Sequence, residues 1–165
     1  MSNELTNTPS ETLTNTPRET LTNTPAQDET PRITMEQFDE LLRNAMPMMA
    51  IFPIQLVTLG WGTCRMRLSF HDNQVRPGGT LSGPTMMTLA DTALYAVVLS
   101  RIGLQPLAVT SDLNFRFLRK PEQRALIADA EILRLGRKLA VGEVRIYSEG
   151  SDKLVAHATG TYAIP

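Results

Sequence analysis

The chain has 165 residues, 42% apolar and 20% charged, with a net charge of −1. That is the size and balance of one ordinary domain with a full core. The charge is uneven: residues 1–32 carry five acidic residues against two arginines, and residues 33–165 carry 12 acidic against 14 basic ones. So weak a basic excess argues against general nucleic-acid binding, yet it allows a local basic pocket for a phosphorylated small molecule.

Residues 1–32 are built on a tandem unit, Thr-Asn-Thr-Pro at 6–9, 14–17 and 22–25. A period of eight fits neither helix nor strand, and proline in every unit interrupts both, so a disordered tail is expected there. The folded domain is expected over 33–165. Thr34 followed by Gln37 has the form of a capping box, and Phe38, Leu41, Leu42, Ala45 and Met46 fall on one helical face. Pro47 and Pro53 end that run. Residues 54–60 and 63–70 predict a hairpin around Gly60-Trp61-Gly62, followed by a Gly/Pro-rich loop from Val75 to Thr80. The one long helix is predicted from Pro84 to about Arg101, stopped by Gly103. Residues 107–118 alternate, with Val109, Ser111, Leu113, Phe115 and Phe117 on one face and Thr110, Asp112, Asn114 and Arg116 on the other. Three more long strands follow, over 125–135, 139–147 and 154–164. This order predicts an α+β fold, a curved antiparallel sheet wrapped around one central helix.

The long helix carries the chemistry. Pro84 in its first turn, with Ser82 or Gly83 as cap, makes a good N-terminus whose first amides can stabilise an oxyanion. Asp91 lies two turns further in, among small and apolar residues. A carboxylate there is costly unless it is hydrogen-bonded or works; the plain alternative is an aspartate paired with Thr88 or Thr92. Gly-x-Ser-x-Gly, the Walker loop and Gly-x-Gly-x-x-Gly do not occur in the sequence. One cysteine, Cys64, and two histidines 86 positions apart, His71 and His157, offer no disulfide framework and no metal-ligand spacing, so no metal or cofactor is expected. The longest apolar run, Ala93–Leu99, is too short for a membrane span, and the N-terminus lacks a signal pattern. A cytoplasmic protein without membrane or nucleic-acid partners is expected.

The run Gly79-Thr80-Leu81-Ser82-Gly83-Pro84, then Ala90-Asp91-Thr92-Ala93 after five residues, resembles the helix-start motif of the PaaI-type hotdog-fold acyl-CoA thioesterases. Val109–Phe115, Arg119-Lys120-Pro121, Gly136-Arg137-Lys138 and residues 154–162 resemble the family's later strands and turns. The similarity extends over about residues 45–164. It implies a hotdog fold and thioester hydrolysis, with Asp91 as general base or nucleophile and the Gly83 N–H polarising the thioester carbonyl. Thr110 corresponds to a Ser or Thr that positions water in some relatives. The chain departs from the family pattern at Arg76 (family Asn), Ser82 (His) and Pro84 (second Gly). Arg76 and Ser82 are nevertheless candidate substrate contacts, and Arg119, Lys120, Arg137 and Lys138 are candidates for the CoA phosphates.

Gly83 and Asp91 are eight residues apart, about 12 Å along a helix. One thioester cannot reach both within one chain, so two helices packed antiparallel about a two-fold axis are required, and a homodimer or homotetramer is expected. The alternative is a non-catalytic hotdog protein that binds acyl-CoA or a protein partner. A hotdog dehydratase needs Asp followed five residues on by His, whereas Asp72 is followed by Pro77.

Overall fold

The computed structural model describes residues 30–165, so the repeat segment lies, except for its last three residues, outside the described part. The first helix, α1, spans Met35–Ala45; Thr34 and Gln37 form the capping box, and Phe38 and Leu42 are buried. Pro47 opens a short 3-10 turn to Ile51 instead of ending helical structure outright. β1 (Ile54–Gly60) and β2 (Thr63–Leu68) form the expected hairpin. Two short strands, β3 (Val75–Arg76) and β4 (Thr80–Leu81), pair within the Gly/Pro-rich loop and deliver the chain to α2, Gly83–Ile102. Then come β5 (Val109–Phe117), β6 (Leu126–Leu135), β7 (Leu139–Ser148) and β8 (Leu154–Ala163).

Six strands form one antiparallel sheet in the order β1-β2-β6-β7-β8-β5, the hotdog arrangement of sheet around helix. Thirteen of the 20 residues of α2 are buried, so this helix is the core itself and not an amphipathic cover. It lies very close to the sheet. Gly142 and Gly160 are cross-strand partners on β7 and β8, and a Cβ on either would come within 2.8 and 2.7 Å of Leu94. The missing side chains are what let α2 sit that deep. The opposite face of the sheet is charged: Arg65 meets Asp129 at 2.6 Å, Arg145 meets Glu131 at 2.9 Å and also pairs with Glu143, and His157 meets Glu143 at 2.9 Å. Among the described residues no helix is long and apolar enough to cross a membrane.

Candidate active site

Ser82 is the N-cap of α2. Its Oγ accepts from the Thr85 N–H at 3.3 Å and lies 2.8 Å from Thr85 Oγ1. The Ser82 N–H donates to Gln74 O at 2.8 Å, and the Met86 N–H donates to Ser82 O at 3.3 Å. Pro84 has no N–H. These bonds leave the Gly83 amide as the first-turn donor free for a ligand, at the positive end of the helix dipole. A Cβ on Gly83 would stand 3.1 Å from the Phe117 ring, so glycine lets that ring pack close to the backbone here. The structure therefore uses the Ser82 hydroxyl to build the helix end.

Gly83, Arg76, Arg119 and Lys120 line one cavity of about 520 Å³, together with Met86 and Phe117. Three cations and a free helix amide converge on it, a set suited to phosphates and a polarised carbonyl. Arg137 and Lys138 are not brought there. They are exposed in the β6–β7 turn, beside the end of β8, where the Ile164 N–H donates to Lys138 O at 2.8 Å.

Asp91 is half-buried on α2. Neither neighbouring threonine holds it: Thr88 Oγ1 donates to Pro84 O at 3.0 Å and Thr92 Oγ1 donates to Thr88 O at 2.8 Å. Two hydroxyls from the sheet do so instead. Thr110 Oγ1 donates to Asp91 Oδ1 at 2.6 Å, and Tyr162 Oη donates to the same Oδ1 at 2.8 Å while lying 3.0 Å from Asp91 O. Oδ2 accepts from neither hydroxyl.

Simple alternation along β5 assigns Thr110 to the face of Asp112, Asn114 and Arg116, away from the helix. The structure corrects this. The register with β8 shifts between Thr110 and Asp112, so Ser111 is the extra residue of a bulge. Thr110 pairs with Tyr162 and Leu113 with Gly160. Cross-strand partners point the same way, so the bulge turns Thr110 onto the helix side beside Tyr162. Tyr162 is buried at 3% exposure. Burial, and then the charge of Asp91, hold its hydroxyl well above the ordinary tyrosine range, so it remains a donor at any working pH. Tyr162 is the site residue that sequence reading missed; only its place beside Thr110 in the strand register could have pointed to it.

A stripe of α2 stays uncovered between the two centres. Pro84 and Met87 are exposed, and Thr88 and Asp91 are half-buried, at the three-to-four spacing of one helix face. Strand β5, alongside, is a sheet edge carrying exposed Val109 and Phe117.

The profile of the thioesterase superfamily matches residues 78–155, the stretch from the Gly78-Gly79 turn into β8. A candidate thioesterase from Silicibacter sp. TM1040 is 39% identical, with a TM-score of 0.75 over 84% of this chain and 96% of that one. A mutant of the phenylacetic acid degradation protein PaaI from Thermus thermophilus is 26% identical, with a TM-score of 0.65 over 72% and 99% of the two chains. A candidate esterase from Halobacterium salinarum is 35% identical over 91 residues; the match spans 52% of this chain and 59% of that curated relative.

Proposed function

This chain belongs to the thioesterase superfamily, among its PaaI-type hotdog members, and from that premise we propose that it hydrolyses acyl-CoA thioesters at sites shared by two protomers. The carrying observation is the Asp91 carboxylate, with Oδ1 held by Thr110 and Tyr162 and Oδ2 left open. As general base, Asp91 takes a proton from water while the water oxygen bonds to the carbonyl carbon. The resulting oxyanion accepts a hydrogen bond from the N–H of the partner's Gly83. Collapse breaks the C–S bond, and the proton passes to the departing CoA thiolate. As nucleophile, Asp91 would instead attack the carbonyl carbon and expel the CoA thiolate, which takes a proton from solvent. Water would then open the acyl anhydride to the free acid and the regenerated carboxylate. Thr110 and Tyr162 act through Asp91, as positioning residues.

The two-protomer reading is supported by the uncovered α2 stripe and the open β5 edge. If β5 pairs antiparallel with a second copy about Leu113, at its middle, Val109 of one protomer lies opposite the partner's Phe117. Antiparallel packing of the two α2 stripes then brings Asp91 to the partner's Gly83. The partner's Arg76, Arg119 and Lys120 take the CoA phosphates, and Arg137 and Lys138 stand on the Asp91 side as outer contacts. A dimer, alone or doubled into a tetramer, satisfies this. The cytoplasm, where coenzyme A esters are made and spent, is the compartment we propose for it.

The test is thiol release from a panel of acyl-CoAs, with wild type beside Asp91→Asn. The variant keeps an acceptor for both hydroxyls, so it should fold as wild type and lose about 10²–10⁴ in turnover. A wild type that binds acyl-CoA without releasing thiol would favour the non-catalytic binder.

A further inference from the structure

Resting on the thioesterase reading, we propose that the cleft walled by α1 beyond Asp91 is an acyl pocket. It takes uncharged hydrocarbon acyl groups of short to medium length, and Met46 limits that length.

The cleft encloses about 260 Å³ and opens onto Asp91. Its walls come from Leu41, Ala45 and Met46 at the end of α1, Tyr95 on α2, and Pro106 and Ala108 in the approach to β5. Asp91 is the one charged side chain lining it. A carboxylate on the acyl group would therefore meet a second carboxylate, with no cation in the lining to pair it. The contrast with the cavity at Gly83, lined by Arg76, Arg119 and Lys120, gives the substrate a direction: phosphates toward the cations and hydrocarbon toward α1.

The floor of the cleft is fixed. Tyr95 Oη donates to Pro106 O at 3.1 Å. Its ring stacks on Tyr162, with centroids 6.0 Å apart and planes at 20°, and it meets Phe38 of α1, also at 6.0 Å. The same aromatic row thus runs from the hydroxyl that holds Asp91 to the helix that walls the pocket. At about 260 Å³ the space falls just below the roughly 300–1,000 Å³ of sites enclosing a drug-sized ligand, which suits a short or medium chain. Met46 also lines a neighbouring cavity of about 550 Å³ between α1 and β1, which Asp91 and Gly83 do not line. Met46, half-buried and unbranched, is the one residue that lines both spaces.

The experiment measures kcat/KM on acetyl-, butyryl-, hexanoyl-, octanoyl-, dodecanoyl-, palmitoyl- and succinyl-CoA for wild type, Ala45→Leu and Met46→Ala, with melting temperature as the folding control. Wild type should prefer an uncharged chain of medium length and discriminate against succinyl-CoA. Ala45 is exposed at the end of α1, so Ala45→Leu should fold normally. It should lose at least about tenfold on octanoyl-CoA while butyryl-CoA changes little, since leucine adds three carbons and even one methylene of misfit in an apolar pocket is worth about tenfold. Met46→Ala should move the optimum to longer chains. If both folded variants keep the wild-type chain-length profile, the acyl group lies elsewhere and hydrolysis stands without this pocket. A preference for succinyl-CoA overturns the pocket in the same way. Failure of wild type to cleave any thioester overturns the thioesterase reading and the pocket with it.

Discussion

Tyr162→Phe removes one oxygen atom at the centre of the site and little else. The ring keeps its place against Tyr95, 6.0 Å away, and no cavity opens beyond the volume of a hydroxyl. What disappears is the 2.8 Å donor to Asp91 Oδ1 and its 3.0 Å approach to Asp91 O. A hydrogen bond to a charged group contributes about 1.5–3 kcal/mol. Here the loss is smaller, because phenylalanine leaves no orphan donor and half-buried Asp91 still accepts from Thr110 at 2.6 Å. We expect about 1 kcal/mol of destabilisation, a shift of roughly 3 °C for a chain of this size. The larger effect is on catalysis: with one restraint gone the carboxylate samples other rotamers, and kcat should fall about tenfold with KM unchanged. Thr110→Ala should do the same through the other donor. Because both hydroxyls act on one oxygen, the double variant should depart from additivity. Thiol-release kinetics and thermal melts of the four proteins measure all of this. Unchanged kcat in folded Tyr162→Phe, or strict additivity with Thr110→Ala, would refute the positioning role.

Gly160→Ala should destabilise the protein by about 1–3 kcal/mol, since its Cβ would enter within 2.7 Å of Leu94 and 3.1 Å of Asp112 O; a wild-type melting temperature would mean that α2 does not lie as deep as described. Glu143 sits on the outer sheet face with its carboxyl held below the ordinary glutamate value of 4.5, first by the His157 hydrogen bond and also by the charge of Arg145. A lowered folded value contributes stability above the unfolded value and loses it as pH falls through the folded one. Glu143→Gln should therefore melt lower at pH 7, by about 1 kcal/mol, and the gap should close as pH drops below 4.5; a constant gap down to pH 3 would contradict the ion pairing. Burial, and then the charge of Asp129, push the Cys64 thiol up to about 12. Native protein should show no thiol reactive to a disulfide reagent at pH 8 and one after denaturation; reaction at the free-thiol rate in the native state would place Cys64 at the surface.

The fold was legible because its signals are local. Thr34 and Gln37 cap α1 as their spacing predicts, Gly103 stops α2 at φ 87°, and the strand ends fall within a few residues of the turn residues that flank them. Asp91 stood out because a lone carboxylate on an apolar helix is conspicuous in any sequence. Its partners did not, since they depend on register. Thr110 reaches Asp91 only because Ser111 bulges, and nothing in a Val-Thr-Ser-Asp string marks a bulge there. Tyr162 lies 71 residues from Asp91 and reads as an ordinary strand aromatic. The Gly142–Gly160 pair is likewise a property of two strands laid side by side. The basic residues separate for the same reason: Arg76, Arg119 and Lys120 converge through β3 and the end of β5, while Arg137 and Lys138 sit at the other end of the sheet.

The central claim is that Asp91 of one chain works with Gly83 of another, and a mixed dimer tests it. Gly83→Pro deletes the amide at a first helical position, after a Ser82 already extended at φ −74°, ψ 153°. Because its Cβ would stand 3.1 Å from the Phe117 ring and it precedes Pro84, a wild-type-like melt and dimer mass are required of the variant before its activity is read. Asp91→Asn removes the carboxylate. Each homodimer should be inactive, because both of its sites are damaged. In a mixed dimer purified through two different tags, both lesions fall in one site and the other site is whole. Turnover of about half the wild-type value is therefore predicted. A mixed dimer as inactive as its parents would contradict a shared site and return the chemistry to a single chain.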